Sequence, residues 1–309
     1  MLEHVPARRG LKLRTRFARR MARRAGEAAL SPDQPRAIQR KRLDRAGDLM
    51  PAKDVDVAAR EIAGLAALDF TPARPRPGRL LYFHGGGYSR GSAQSHKAFV
   101  SRLSAATGLK AISVDYRLAP EHPCPAAVED AVASYTALRA ETDERIVMAG
   151  DSAGGGLALS ACVRLKAQAA AQPDALVLFS PWTDLSLSGD SAESRDGVDP
   201  MLKTAYLRAG ADLYLDGRDP ADPVASPLFA DLSGLPPVFI QAGDAEVLLD
   251  DSVRLHDRLE AGGVPVRCEI WEGMWHDFQM FAPITPEAGR AIAAGAGWIE
   301  GAIAALDAA

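Results

Sequence analysis

The feature that most constrains this chain is a series of short apolar runs, each closed by a polar turn and separated from the next by a helical pattern. Leu80-Leu81-Tyr82-Phe83 ends in His84-Gly85-Gly86-Gly87, Ala111-Ile112-Ser113-Val114 ends in Asp115-Tyr116-Arg117, and Ile146-Val147-Met148-Ala149 ends in Gly150-Asp151-Ser152-Ala153-Gly154. Runs that are apolar on both alternations suit strands buried on both faces, as in a parallel sheet. Ala98–Thr107 and Val128–Arg139 read as helices between them. A further helix to about Gln168 carries Leu157, Ala161 and Leu165 at four-residue spacing. Ala175–Phe179, Val238–Gln241 and Val266–Ile270 complete the strand series. This alternation predicts an α/β fold, a mostly parallel central sheet flanked by helices, with its chemistry at the carboxyl ends of the strands.

Outside this series the signals are weaker. Val55, Val57, Ile62, Leu65 and Leu68 fit a hairpin or two short strands, and Thr71–Arg79, with three prolines and a glycine, reads as a loop. Pro181–Pro236 is rich in Asp, Ser, Gly and Pro with one helical piece around Lys203–Leu215, and is expected to be an insertion that helps form a lid. The sequence thus divides into a basic helical arm over residues 1–50 and a main α/β domain over 51–309, with the lid insertion at 181–236.

At 309 residues, 47% hydrophobic and 25% charged, the chain is neither disordered nor collagen-like. No stretch approaches the apolar length of a membrane span. Three cysteines, Cys124, Cys162 and Cys268, make an odd and sparse set that points to a reducing, cytoplasmic setting. The net charge of −4 hides an asymmetry: residues 1–45 hold 14 Lys and Arg against 4 Asp and Glu, so this stretch carries +10 and the remainder −14. A basic arm can meet nucleic acid or an anionic membrane surface. The near cancellation of the two charges, and the lack of a nucleic-acid motif in the body, favour docking of the arm on its own chain. Within it, Leu11, Leu13, Phe17 and Met21 punctuate an Arg-rich run, with Leu13, Phe17 and Met21 four apart as on one helical face. A second amphipathic stretch spans Gln34–Leu49, and Pro32 and Pro35 separate the two. Arg-rich, acid-poor composition is also that of a transit peptide.

Gly150-Asp151-Ser152-Ala153-Gly154 matches G-x-S-x-G, the nucleophile elbow. A serine on a tight strand-to-helix turn stands clear of the sheet, and the helix N-terminus beneath it favours developing negative charge. The pentapeptide alone is a weak signal; the apolar strand before it and the helix after it strengthen it. His84-Gly85-Gly86-Gly87 is a rarer string. Without side chains its backbone N–H groups can approach an oxyanion, and Ala153 N–H supplies a further donor. A phosphate loop is the competing reading, but no Lys-Ser/Thr follows. Of six histidines, His276 follows the last strand, and the order serine, acid, histidine selects it as the base. The acid comes from the loop after Val238–Gln241, where Asp244 and Glu246 are both candidates. Asp250 and Asp251 read as caps of a helix beginning near Ser252.

Together these residues resemble the hormone-sensitive-lipase-like α/β-hydrolases, the bacterial family IV esterases, over roughly residues 55–305. The likeness includes Asp115-Tyr116-Arg117-Leu118-Ala119-Pro120-Glu121-His122-Pro123, Leu248-Leu249-Asp250-Asp251 and Gly273-Met274-Trp275-His276. The resemblance implies an α/β-hydrolase fold with an N-terminal helical cap, which turns the basic arm from a transit peptide into a cover for the acyl pocket. The family's acid motif, Asp-Pro-Leu before a charged pair, is departed from here. Aligning Leu248 and Asp250-Asp251 with it puts Glu246 on the family's aspartate and leaves Asp244 in reserve. By the same resemblance Gly86, Gly87 and Ala153 form the oxyanion hole, and Gly85 shapes the turn. The function implied is a serine carboxylic-ester hydrolase, with Ser152, His276 and Glu246 as its triad. It would act on short-chain acyl esters or small lactones through an acyl-enzyme, with no metal or organic cofactor and no nucleic-acid partner. Relatives that pair through an edge strand make a homodimer compatible with this reading. The alternative is a catalytically silent small-molecule-binding protein on the same fold.

Overall fold

The structure, a computed structural model, describes residues 1–7 and 13–308. Leu11, one of the marks of the arm's periodicity, lies outside the described residues. In chain order the elements are β1 (Leu2–Val5), α1 (Leu13–Ala29), α2 (Arg36–Gly47), β2 (Val55–Ile62), β3 (Leu65–Pro72), β4 (Arg76–Phe83), α3 (Lys97–Thr107), β5 (Leu109–Val114), α4 (Ala126–Glu141), β6 (Ile146–Asp151), α5 (Ala153–Ala167), β7 (Ala175–Phe179), α6 (Ser191–Ser194), α7 (Thr204–Leu215), β8 (Val238–Gly243), α8 (Leu249–Ala261), β9 (Val266–Trp271) and α9 (Pro286–Asp307).

The strands form one sheet of order β1-β9-β8-β7-β6-β4-β5-β3-β2. The β2–β3 and β3–β5 pairs are antiparallel, and the rest are parallel. Its central strands are contiguous apolar runs because each face has its own core. Leu81, Phe83, Met148, Leu176, Leu178 and Ile240 belong to the core shared with α4, α5 and α8. Their alternating neighbours Leu80, Tyr82, Val147, Ala149, Val177 and Phe239 belong to the core under α3 and α9. The period of two along a pleated strand produces this division.

Two readings need correction. The expected loop Thr71–Arg79 is mostly strand: β3 runs to Pro72 and β4 starts at Arg76. Pro77, which has no N–H to give, falls where the β4–β5 register shifts between Arg76 and Arg79, so the ladder loses no bond it could have made. Asp250 and Asp251 do not cap α8, which begins at Leu249. They reach sideways to the 181–236 stretch instead: Asp251 Oδ2 accepts from Thr183 N–H and Asp184 N–H at 2.7 and 2.8 Å, and Asp250 Oδ2 from Ser191 N–H at 2.9 Å. β1 was not legible, being four residues with two polar ones. It adds to the free edge of β9.

The arm lies on its own chain, but opposite charges are not what holds α1 there. Its buried residues are Thr15, Ala18, Ala22, Gly26 and Ala29. The backbone approach is close: a Cβ on Gly26 would stand 2.1 Å from Met201 O, and one on Gly47 of α2 1.7 Å from Gln94 O. Arg19 donates to the carbonyls of Gly273 and Val198. The ion pairs that residues 1–50 make lie outside α1: Arg40–Glu121 at 2.8 Å on α2, Asp48–Lys97 at 3.1 Å just past it, and Glu3–Arg267 and the N-terminus–Glu260 at β1.

Candidate active site

Ser152 sits between the end of β6 and the start of α5 with φ 50° and ψ −122°. An L-residue enters this region only when its surroundings over-determine it. Here Ser152 N–H donates to Phe179 O at 2.9 Å, and its carbonyl accepts from Trp182 N–H at 2.9 Å. The turn admits no side chain at Gly154, where a Cβ would lie 2.0 Å from Phe83 O. That is the physical content of the last glycine of the pentapeptide.

The glycine turn after β4 faces this serine across the same cavity. Gly86 has φ +123°, and a Cβ there would stand 2.2 Å from Arg90 O, so no other residue fits. Gly86 N–H, Gly87 N–H and Ala153 N–H donate to no acceptor among the described residues. Gly85 N–H, by contrast, donates to Asp151 Oδ1 at 2.9 Å. Asp151 also accepts from Tyr82 Oη–H and lies 3.2 Å from His96 Nε2. Burial pushes the Asp151 carboxyl up, but His96 and Tyr82 outweigh it and leave it below its ordinary range. Asp151, the residue before Ser152, thus fastens the glycine turn to the turn after β6. His84 is buried, its pKa driven down to about 3 by burial and by His96, and its ring stacks on Tyr116 at 4.3 Å. It is a neutral strut of the turn.

His276, in the loop after β9, is 2% exposed and lines the cavity with Ser152. Its Nε2 lies 3.1 Å from Asp277 Oδ2, its Nδ1 has no partner, and no hydrogen bond joins it to Ser152 or Glu246. Glu246 is fully buried. Its Oε2 accepts from Ser180 Oγ–H at 2.7 Å and Gly243 N–H at 3.2 Å, while Oε1 has no partner. Burial pushes the Glu246 carboxyl up to about 8, against the pull of His276. Burial would lower the pKa of His276, but Asp277, Glu246 and Asp199 outweigh it and carry it up to about 10. Asp244, the reserve candidate, is half-buried and accepts from Gly273 N–H at 2.7 Å. The carboxylates that shift His276 most are Asp277, Glu246 and Asp199.

Three polar residues at this site were not singled out in the sequence. Ser180, directly after β7, donates to Glu246 and accepts from Asp277 N–H at 3.2 Å. Asp277 stands on the cavity wall beside the imidazole. Asp199 takes four backbone donors: Met201 and Leu202 N–H at 2.9 and 3.1 Å on Oδ1, and Val247 and His276 N–H at 3.3 and 3.4 Å on Oδ2. The position of Asp277 beside His276 was a signal available in the sequence. Asp199 carried none.

The cavity has a volume of about 300 Å³ and is lined mainly by apolar groups. Met21 comes from α1, Leu43 and Ala46 from α2, Met201 and Leu202 from the 181–236 stretch, and Phe281 from the loop before α9. Among the described residues no cluster of three or more His, Cys, Asp or Glu is arranged to hold a metal ion.

Residues 80–280 match the family described as alpha/beta hydrolase fold. The chain is 45% identical over 223 residues to an acetyl-hydrolase of Streptomyces hygroscopicus, covering 72% of this chain and 75% of the relative. It is 38% identical over 255 residues to an esterase of Acinetobacter venetianus, covering 81% and 84%. The crystal structure of EstE5 soaked with p-nitrophenyl butyrate superposes with a TM-score of 0.88 at 37% identity, over 94% of this chain and 99% of that one. That of a hormone-sensitive lipase from a metagenome library gives 0.89 at 36% identity, over 93% and 98%. The family match over residues 80–280, with identity and superposition at such coverage, makes the chain a member of the alpha/beta hydrolase family and a carboxylesterase of its hormone-sensitive-lipase-like branch.

Proposed function

We propose that this esterase works through Ser152, His276 and Glu246 and an acyl-enzyme on Ser152. The observation that carries the reading is a pair of buried, unpartnered atoms: Nδ1 of His276 and Oε1 of Glu246. Buried polar atoms without partners are costly. A turn of the imidazole that brings Nδ1–H to Oε1 satisfies both and frees Nε2 from Asp277 to address the serine hydroxyl. Catalytic hydrogen bonds commonly tighten only when substrate is bound.

In the resulting reaction Ser152 Oγ bonds to the ester carbonyl carbon and its proton passes to His276 Nε2. The carbonyl oxygen becomes an anion among Gly86, Gly87 and Ala153 N–H groups, at the positive end of α5. Collapse breaks the C–O bond to the alcohol, which leaves with the proton from Nε2. Water, deprotonated by His276, then releases the acid and restores the serine. Glu246 holds the imidazole in the useful tautomer and offsets its transient charge. A cavity of about 300 Å³ walled by apolar side chains favours short acyl esters and small lactones.

The test is hydrolysis of p-nitrophenyl butyrate by four proteins. Ser152→Ala should lose at least about 10³-fold in kcat and Glu246→Gln about 10²- to 10⁴-fold, with Asp244→Asn close to wild type. Equal rates for wild type and Ser152→Ala would overturn the mechanism. A crippled Asp244→Asn beside an active Glu246→Gln would overturn the choice of acid.

A further inference from the structure

The sequence spacing places Leu13, Phe17 and Met21 on one helical face, and such a face is ordinarily the buried one. In α1 the order is reversed. Small residues meet the body, while Leu13 is 82% exposed, Phe17 59% and Met21 37%. The stripe slants along the helix toward the cavity, because Met21 and, one turn on, Ala25 both line it. Across the same mouth Leu49 and Met50, just past α2, also line the cavity and are 65% and 55% exposed. The rim of the pocket is therefore apolar and open to water.

The charge beside this stripe is strongly positive. Helix α1 carries Arg14, Arg16, Arg19, Arg20, Arg23 and Arg24 against a single acid, Glu27. Arg19 is engaged with backbone carbonyls. The other five are exposed and form no ion pair among the described residues.

We propose that the pocket mouth is a docking face for an anionic lipid surface. Leu13 and Phe17 enter the acyl boundary, and the flanking guanidinium groups meet lipid phosphates. This is the pattern of an interfacial helix: large apolar groups on one stripe, Arg beside them, and no length sufficient to span. The apolar stripe favours lipid over nucleic acid, since phosphate contacts alone would leave Leu13 and Phe17 in water. Docked this way, the mouth opens directly on the lipid layer, and a short acyl ester partitioned there enters past Met21 without crossing water.

The experiment is co-sedimentation of the full chain with vesicles of phosphatidylglycerol and phosphatidylcholine, and with vesicles of phosphatidylcholine alone, at low and high salt. The first should bind the protein, with affinity falling at high salt, and the second should bind it at least about tenfold more weakly. Leu13→Gln/Phe17→Gln and Arg16→Gln/Arg20→Gln/Arg24→Gln should each weaken association about tenfold or more. None of these residues lines the cavity, so turnover of soluble p-nitrophenyl acetate should stay at the wild-type rate and report that the variants are folded. No association with the anionic vesicles, equal association with both kinds, or binding untouched by both variants would overturn the proposal. So would retention on duplex DNA without retention on vesicles. The readout is binding, so it succeeds or fails independently of whether Ser152 is the nucleophile.

Discussion

Asp199 is the residue whose importance the site makes plainest. Its carboxylate joins three segments: its own turn through Met201 and Leu202, the acid loop through Val247, and the histidine loop through His276. Burial pushes its carboxyl up, His276 pulls it down, and the net shift is upward. An amide in its place turns a donor toward one set of N–H groups and loses hydrogen bonds to a charged acceptor, each worth about 1.5–3 kcal/mol. Asp199→Asn is therefore expected to lower kcat by roughly ten- to a hundredfold with a smaller change in KM. Asp199 is also one of the carboxylates that raise the pKa of His276, so with His276 as the proposed base the alkaline rise of kcat/KM should move to lower pH. A pH–rate profile of the variant checks both, and a merely structural role would leave the pH midpoint in place.

At the scale of elements, α1 is seated by absence of side chain. Gly26 lets α1 touch the backbone at Met201, whose side chain forms part of the cavity wall. In an exposed helix Gly→Ala is stabilising by about 1 kcal/mol. Here the added methyl meets a carbonyl oxygen at 2.1 Å, so contact overrides propensity. Gly26→Ala should lift α1, widen the cavity and raise KM for butyrate more than for acetate esters. Trypsin should also cut the Arg-rich helix faster than in wild type. Unchanged KM values and an unchanged cleavage rate would show that α1 is not positioned by this contact.

For the whole molecule, the buried acids at the carboxyl edge of the sheet set how stability responds to pH. Burial raises Glu246 to about 8, Asp251 to about 7 and Asp277 to about 6, and His276 is raised to about 10 by its carboxylate neighbours despite burial. All four bind a proton more tightly folded than unfolded. The stability they confer is full below their unfolded values and lost as pH rises through the folded ones. His84, shifted the other way to about 3, acts only below its unfolded value near 6.5. Between pH 7 and 9 the raised groups act alone, so Tm should fall across that window while kcat/KM rises. A Tm that is flat or increasing from pH 7 to 9 in a thermal melt series would contradict this electrostatic picture.

Chain-local physics already determined much of this protein. A strand buried on both faces is mainly apolar on both alternations, so Leu80–Phe83 of β4, Ala111–Val114 of β5, Ile146–Ala149 of β6, β7 and Val238–Ile240 of β8 stand out in the sequence as short hydrophobic runs. The turns after β4 and β6 were legible for a related reason: backbone that must approach other backbone leaves glycine at fixed spacing, and Gly86 and Gly154 occupy such places. Tertiary structure alone decided the rest. Asp199 reaches N–H groups 48 and 77 positions away, and any backbone N–H looks alike in sequence. The four-residue spacing of Leu13, Phe17 and Met21 defined a face without saying which way it points. Direction depends on what the opposite face can touch, and only the folded body, with a carbonyl at Met201 close enough to require glycine, turned the small residues inward and the large ones out.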